Sequence, residues 1–396
     1  MNPRGPWVQV TLQGDVMNEE SFAWVEDSLI EIFRGTSPTA SLIARVTKKE
    51  GAARAQAAAT QAQLQARGAE KFAGALAMRF TRAGLEMATH EGLAAFHASL
   101  VPPGMPAVDL TAGIGADAMA LGRRGPVLAW ERDPETARCL IHNLERAGVQ
   151  ADVRIGDSMA WLANPDRPDD VVLFADPARR EGARRTLNPD DFQPDPRVLA
   201  AAMRRAAGGL MKLSPMLADE YLADLGGRVI WISHRGQCPE ALVAFGVCGD
   251  AVQGDVVQVE TGAWLTSGPD APVQTLPDEY IFDLDPAAVR GHARGSFELA
   301  GLGESHGYLT GPDDRPSPWL RGYRVRGHAA WHADKVKREL RAQGLEIEIV
   351  KTRRVSLDPP AVRRQLRGTG KTPAVLLLYP IGPKIHAVWA EALARG

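Results

Sequence analysis

The chain has 396 residues, 45% of them hydrophobic and 24% charged, the mix of a folded protein with two or three cores and no large disordered part. No stretch stays apolar long enough to cross a bilayer, and the opening MNPRGPWVQVTLQGD lacks a charged-then-apolar leader, so a cytoplasmic protein without a membrane partner is expected. The net charge of −2 hides an asymmetry: from Lys335 onward thirteen Lys and Arg face five acids, a +8 end behind a −10 body. That end is a candidate polyanion surface, with an ordinary solvated basic face as the alternative. Cys139, Cys238 and Cys248 form no Cys-x-x-Cys pair and read as core thiols, which argues against a disulfide framework and a zinc knuckle.

In chain order, residues 1–100 read as a mainly helical domain. Phe22, Val25, Leu29 and Ile32 recur at helical spacing, and AARAQAAATQAQLQA is built of strong helix formers. VPPGMP then breaks the pattern. Residues 101–270 alternate: AVDL, PVLAW, VVLFA, GLMKLS and RVIWIS are strands, and PETARCLIHNLERAGV carries a helical face of Ala137, Leu140, Ile141 and Leu144 ending at Gly148. Strands alternating with helices predict a parallel α/β sheet. Residues 271–318 read as a connecting segment, with EYIFDLDPAAVRGHARGSFELAGL forming a strand and then a helix. Residues 319–396 alternate short strands and helices, a small α+β module.

Gly113-Ile114-Gly115-Ala116-Asp117-Ala118 fits G-x-G-x-x-A after a strand, and Glu131 follows eighteen residues after Gly113. That spacing serves NAD and S-adenosylmethionine equally. Asp109 separates them, because a carboxylate at the end of the first strand repels a pyrophosphate and suits an ammonium group. Glu131, with Asp133 as the alternative, is placed to accept from ribose hydroxyls. Asp157 follows the third strand and suits an adenine amino group. Asp176-Pro177 closes the fourth strand where a reacting group would point. In an open α/β sheet ligands bind beyond the carboxyl ends of the strands, so these acids converge there.

VDLTAGIGADA, VLAWERDPETARCLIHN, IGDSMAWL and FADPARR resemble motifs I to IV of class I S-adenosylmethionine-dependent methyltransferases. KFAGALAMRFTRAGLEMATHEGLAAFHA, MKLSP, WISHRG and the ending LEIEIVKTRRVSLDPPAVRRQLRGTGKTPAVLLLY resemble bacterial members with a THUMP-like C-terminal domain. The resemblance implies a Rossmann-like α/β methyltransferase sheet preceded by helices and followed by the α+β domain. It also implies S-adenosyl-L-methionine as cofactor and RNA as partner, since THUMP domains are RNA-binding modules. The candidate cofactor residues are Asp109, Thr111, Gly113, Gly115, Glu131, Asp133, Asp157 and Ser158. Asp176, Pro177 and Arg179 are the catalytic candidates, in a sequence that keeps the Asp-Pro of base amino methyltransferases and replaces the aromatic that follows. Arg179 can stack on a base or hold a phosphate in its place, and Asp176 has a helix N-cap as its alternative.

Lys351, Arg353, Arg354, Arg363, Arg364, Arg367 and Lys371 are the nucleic-acid candidates, and the loop arginines Arg179, Arg180, Arg184 and Arg185 have a solvated loop as their alternative. His328 and His332 are spaced like two zinc ligands on a helix face but lack a third, and no metal is expected. Lys212, Ser214 and Pro215 sit at the cleft mouth with no role assigned. The function read from all this is methyl transfer from S-adenosylmethionine to a base nitrogen of RNA. The competing readings are a non-catalytic RNA-binding protein and an enzyme acting on a protein or small metabolite.

Overall fold

The computed structural model describes residues 25–34, 39–179 and 188–393. Phe22, Arg180, Arg184 and Arg185 lie outside them, and of Arg179 only the backbone is described. The chain divides into two compact units, residues 1–228 with 242–252, and residues 229–241 with 253–396.

The first unit begins with α1 (Asp27–Glu31), α2 (Ala40–Glu50), α3 (Ala52–Gly68), α4 (Arg82–Met87) and α5 (Glu91–Ser99). Thr39 and Thr81 start α2 and α4 by accepting from the N–H groups of Leu42 and Gly84, which satisfies donors that a helix start leaves open. Val25, Leu29, Ile30, Phe33 and Val46 bury against the small face of α3, Ala55, Ala58, Ala59 and Ala62. The expected stripe slips by one residue: Ile32 is 45% exposed and Phe33 is 2% exposed. Regular helix ends at Glu31, and the turn that follows rotates Phe33 inward.

The alternating region then runs β1 (Ala107–Asp109), α6 (Ala116–Gly122), β2 (Val127–Glu131), α7 (Pro134–Arg146), β3 (Ala151–Ile155), α8 (Ser158–Leu162) and β4 (Val172–Ala175). The antiparallel pair β5 (Ala178–Arg179) and β6 (Phe192–Gln193), α9 (Pro196–Arg205), β7 (Gly208–Leu213) and α10 (Asp219–Asp224) follow. Strand order is β3-β2-β1-β4-β7, all parallel. Every expected strand of this stretch is present. The order reverses at β1, so the switch point of the sheet lies between β1 and β4, where open α/β sheets hold ligands. Register sets Asp109 level with Phe174 and Ala175 level with Met211. Asp176 and Lys212 are therefore neighbours across adjacent strands.

β8 (Arg228–His234), β9 (Gln237–Gly246) and α11 (Val247–Asp250) come next, and residues 242–246 of β9 lie beside β7 in the first unit. In the second unit β10 (Val256–Gln258) pairs parallel to β8 and antiparallel to β11 (Ala263–Leu265). The remaining elements are β12 (Val273–Gln274), β13 (Tyr280–Leu284), α12 (Pro286–Arg290), β14 (Ala300–Leu302), β15 (Tyr308–Gly311), β16 (Leu320–Ala330), α13 (Ala333–Ala342), β17 (Leu345–Thr352), α14 (Pro359–Gln365), β18 (Thr372–Ile381) and β19 (Lys384–Ala392). They form an eight-stranded sheet ordered β12-β14-β15-β13-β16-β19-β18-β17. Residues 271–318, read as a connection, thus supply four strands to it.

α13 and α14 cover one face through Val336, Leu340, Val362 and Leu366 on Leu376, Leu378 and Trp389. Tyr308, Tyr323, Leu377 and Tyr379 fill the other. Three strands separate β13 from β17, about 19 Å in a flat sheet. Yet Asp283 of β13 meets Lys351 of β17 at 2.5 Å. The sheet is curled around its tyrosine face.

Candidate active site

The carboxyl ends of β1, β2, β4 and β7 carry Asp109, Glu131, Asp176 and Lys212. Asp109 is fully buried. Its Oδ1 accepts from the N–H of Thr111 at 3.1 Å, and its Oδ2 is buried without a hydrogen-bond partner. Burial, and then the carboxylates of Asp117, Asp176 and Glu131, push its carboxyl well above the usual range against the Thr111 bond. An unpaired buried carboxyl oxygen is costly, and that cost is offset if a cation donates to it.

Gly113 and Gly115 turn the chain from β1 into α6 with φ of +56° and +99°, a region that L side chains avoid. A Cβ on Gly115 would stand 2.7 Å from Leu140, whereas one on Gly113 would meet nothing within 4 Å. The turn is closed on the helix side and open at Gly113. Glu131 braces it: Oε2 accepts from the Gly113 N–H at 2.9 Å and Oε1 from the Asp133 N–H at 2.8 Å, with lone pairs left for a ligand's hydroxyls. Asp133 and Asp157 cap α7 and α8 by accepting from Thr136 and Met159. Both are exposed and Ser158 is buried.

Asp176 is not a helix cap, because the strand β5 follows it. Its N–H donates to Thr111 Oγ1 at 2.7 Å, and Pro177 is buried beside it. Its Oδ2 accepts from Lys212 Nζ at 2.5 Å. Lys212 also donates to Thr89 Oγ1 at 2.8 Å, and Thr89 donates to Asp117 Oδ2 at 2.6 Å. Asp117 Oδ1 meets His97 Nδ1 at 2.7 Å. Although burial opposes it, the His97 hydrogen bond and charge, with Lys212 and Thr89, hold Asp117 below the usual carboxylate range. Lys71 closes the end of α4 by donating to the carbonyls of Leu85, Glu86 and Ala88. Burial, and then the charge of Lys212, lower its pKa. Thr89, His97 and Asp117 carried no sequence pattern of their own; their one signal was membership of the MATHEGLAAFHA and GIGADA segments.

The basic candidates separate into two groups. Arg353 donates to Asp283 and to the Leu284 carbonyl, and Lys351 shares the same aspartate. Arg354 donates to His306 at 2.6 Å. Arg363, Arg364, Arg367 and Lys371 are exposed. Asp358 caps α14 by accepting from the Ala361 N–H, and the helix ends at Gln365, so Arg363 and Arg364 lie on it and Arg367 beyond it. His328 and His332 do not share a helix face: His328 is in β16 against His386, with Nδ1 to Nε2 at 3.1 Å, and His332 precedes α13. Among the described residues no group of three or more His, Cys, Asp or Glu could hold a metal, and no helix is long and apolar enough to cross a membrane. The three cysteines are free, and burial pushes each thiol up to about 12.

Comparison with known proteins bears on both halves of the chain. A family model described as THUMP domain-like matches residues 320–392. The chain is 31% identical over 320 residues to an uncharacterised S-adenosylmethionine-dependent methyltransferase of Mycobacterium tuberculosis, across 76% of this chain and 85% of that one. The counterpart from a second strain matches equally. A crystal structure from Porphyromonas gingivalis W83, of a protein inferred to be a methyltransferase, covers 94% of this chain and 100% of its own with a TM-score of 0.71. At 21% identity that likeness is one of fold.

Proposed function

Because the chain belongs to the class I S-adenosylmethionine-dependent methyltransferases with a THUMP-like C-terminal domain, we propose that it methylates a base nitrogen in RNA. The unpartnered Oδ2 of buried Asp109 is the observation that carries the cofactor assignment to particular residues. A donor bearing an ammonium supplies the missing hydrogen bond, whereas a pyrophosphate there would face four carboxylates. When bound, S-adenosylmethionine offers an electrophilic methyl group on a sulfonium, which an acceptor nitrogen takes in line as the carbon–sulfur bond breaks.

The protein's part in that reaction is placement. Asp109 holds the ammonium, Glu131 accepts from the ribose hydroxyls, and the open side of Gly113 lets the donor approach the backbone. Asp157 and Ser158 border the adenine. Asp176 accepts from the acceptor's N–H and so aims its lone pair, with Pro177 fixing the backbone behind it and Arg179, three residues on, as the candidate to stack on the base or hold a phosphate. Gly113→Ala is expected to weaken donor binding at least about tenfold, because its methyl group fills the donor's space. The left-handed backbone should cost the fold only about 1 to 2 kcal/mol. Calorimetry and thermal melting check the two effects, and unchanged donor affinity would count against this placement.

RNA as the acceptor is supported by the THUMP-like match and by the exposed cations Arg363, Arg364, Arg367 and Lys371. A protein or metabolite acceptor gives this basic end no task. Arg353 and Arg354, already engaged with Asp283 and His306, serve the interface by shaping the loop after β17. Replacing Arg363 and Arg367 by Ala should weaken RNA binding across sequences and flatten its salt dependence, by about 0.7 in log–log slope for each phosphate no longer neutralised. Filter-binding titrations at several salt concentrations read this directly, and superimposable curves would reduce the cations to a solvated surface. The function itself is tested by mass spectrometry of nucleosides from RNA of a strain lacking the gene and of its parent. One methylated nucleoside should be missing; an identical complement would refute the reading.

A further inference from the structure

We infer that Lys212 is a positioning residue for methyl transfer, holding the Asp176 carboxylate toward the acceptor and itself anchored through Thr89 to the buried Asp117–His97 pair. The inference rests on the methyl-transfer reading of this site and adds a residue to it. β7 is buried along its whole length, and Lys212 is the one charged side chain in it. A cation buried to 8% exposure is destabilising unless its partners are fixed. Here two of them are: Asp176 Oδ2 at 2.5 Å and Thr89 Oγ1 at 2.8 Å.

Two contacts of Asp176 bear on its placement. Thr111 holds its backbone N–H, which sets where the residue sits but leaves its side-chain rotamer open. Lys212 holds one carboxylate oxygen, and that contact selects the rotamer. Register makes the contact possible, since Ala175 pairs with Met211 and the next residue on each strand reaches the same level. The anchor behind Lys212 belongs to the helical segment: Thr89 precedes α5 and His97 lies on it, both buried. Sequence 89–97 is in this sense part of the catalytic unit. Lys212 does not touch the reacting atoms. During transfer the acceptor nitrogen gains the methyl group and gives up its proton to solvent, while Asp176 and Lys212 keep their charges.

The test uses the full chain, total RNA from a strain lacking the gene, and S-adenosylmethionine labelled in its methyl group. Lys212→Met keeps the length and removes the charge. It should lower the rate at saturating RNA about 100-fold, with donor affinity and the RNA concentration for half-maximal rate nearly unchanged, and Lys212→Arg should restore a large part of that rate. If Lys212→Met fails to fold, Thr89→Val replaces it, with an expected loss of about fivefold in the same rate. A wild-type rate in the variant that folds, or a defect confined to donor affinity, would overturn the inference. If the wild-type protein transfers no label to RNA, the RNA reading fails and the inference is judged on the crystal structure of the folded variant with donor bound. A turned Asp176 side chain then supports it, and an unmoved one overturns it.

Discussion

Asp109→Asn is expected to weaken binding of S-adenosylmethionine about 10- to 100-fold and to abolish the proton release that accompanies binding in the wild-type protein. A hydrogen bond to a charged group is worth about 1.5 to 3 kcal/mol, and the amide removes the charge while keeping the shape. Proton release follows from the environment of Asp109. Burial, and then Asp117, Asp176 and Glu131, raise its pKa well above the usual range in the free protein, so it keeps its proton to higher pH than an ordinary carboxyl does. An ammonium arriving at Oδ2 stabilises the ionised form and expels that proton. Donor affinity should therefore rise with pH while Asp109 is protonated in the free protein and level off above its raised pKa.

The same shift has the opposite sign for stability. A carboxyl whose folded pKa is raised resists ionisation in the fold, so its contribution is full below the unfolded pKa and is lost as pH rises toward the folded one. Asp109→Asn should then melt higher than the wild type at alkaline pH, although it binds the donor less well. Calorimetry in two buffers of different ionisation enthalpy at one pH measures the released proton. Equal heats in both buffers, or a variant that binds as tightly as the wild type, would contradict this account of Asp109.

Asp176→Asn should lower turnover about 10²- to 10⁴-fold while leaving donor affinity within a few-fold, the pattern of an interaction made only during reaction. The amide still offers an oxygen to Lys212, so the fold should survive better than with Asp176→Ala, which leaves a buried ammonium without its charge partner. Removing this carboxylate also takes one like charge from beside Asp109, so donor binding in the variant should depend on pH at slightly lower values. Single-turnover rates with labelled donor, with equilibrium binding measured alongside, separate the two quantities. Turnover equal to wild type would remove Asp176 from the reaction.

What the sequence disclosed and what it withheld differ for a physical reason. Asp109, Glu131 and Asp176 stand at strand ends and Gly113 in the turn after β1, and strand ends are marked locally by apolar runs, so a one-dimensional reading can place them along the fold. Lys212 looked like a single polar residue in an apolar strand, and its partner Asp176 is 36 residues away and Thr89 123. Such a network exists only once the register between β4 and β7 is set. Arg353 misled in the same way: it reads as a free cation until Asp283, 70 residues earlier, closes on it across the curled sheet. β11, β12 and β14 run two or three residues each, too short for an alternation to show. His328 and His332 fit a helix spacing, but β16 runs on to Ala330.

The central claim, methyl transfer to an RNA base, is tested most directly by incubating the purified protein with RNA from a strain lacking the gene and trideuteromethyl S-adenosylmethionine, then digesting to nucleosides for mass spectrometry. The account predicts one deuterated nucleoside with the methyl group on a base nitrogen, identical to the nucleoside missing in that strain and absent when Asp176→Asn replaces the wild type. Label recovered only in protein or small metabolites, with every RNA nucleoside unlabelled, would contradict it.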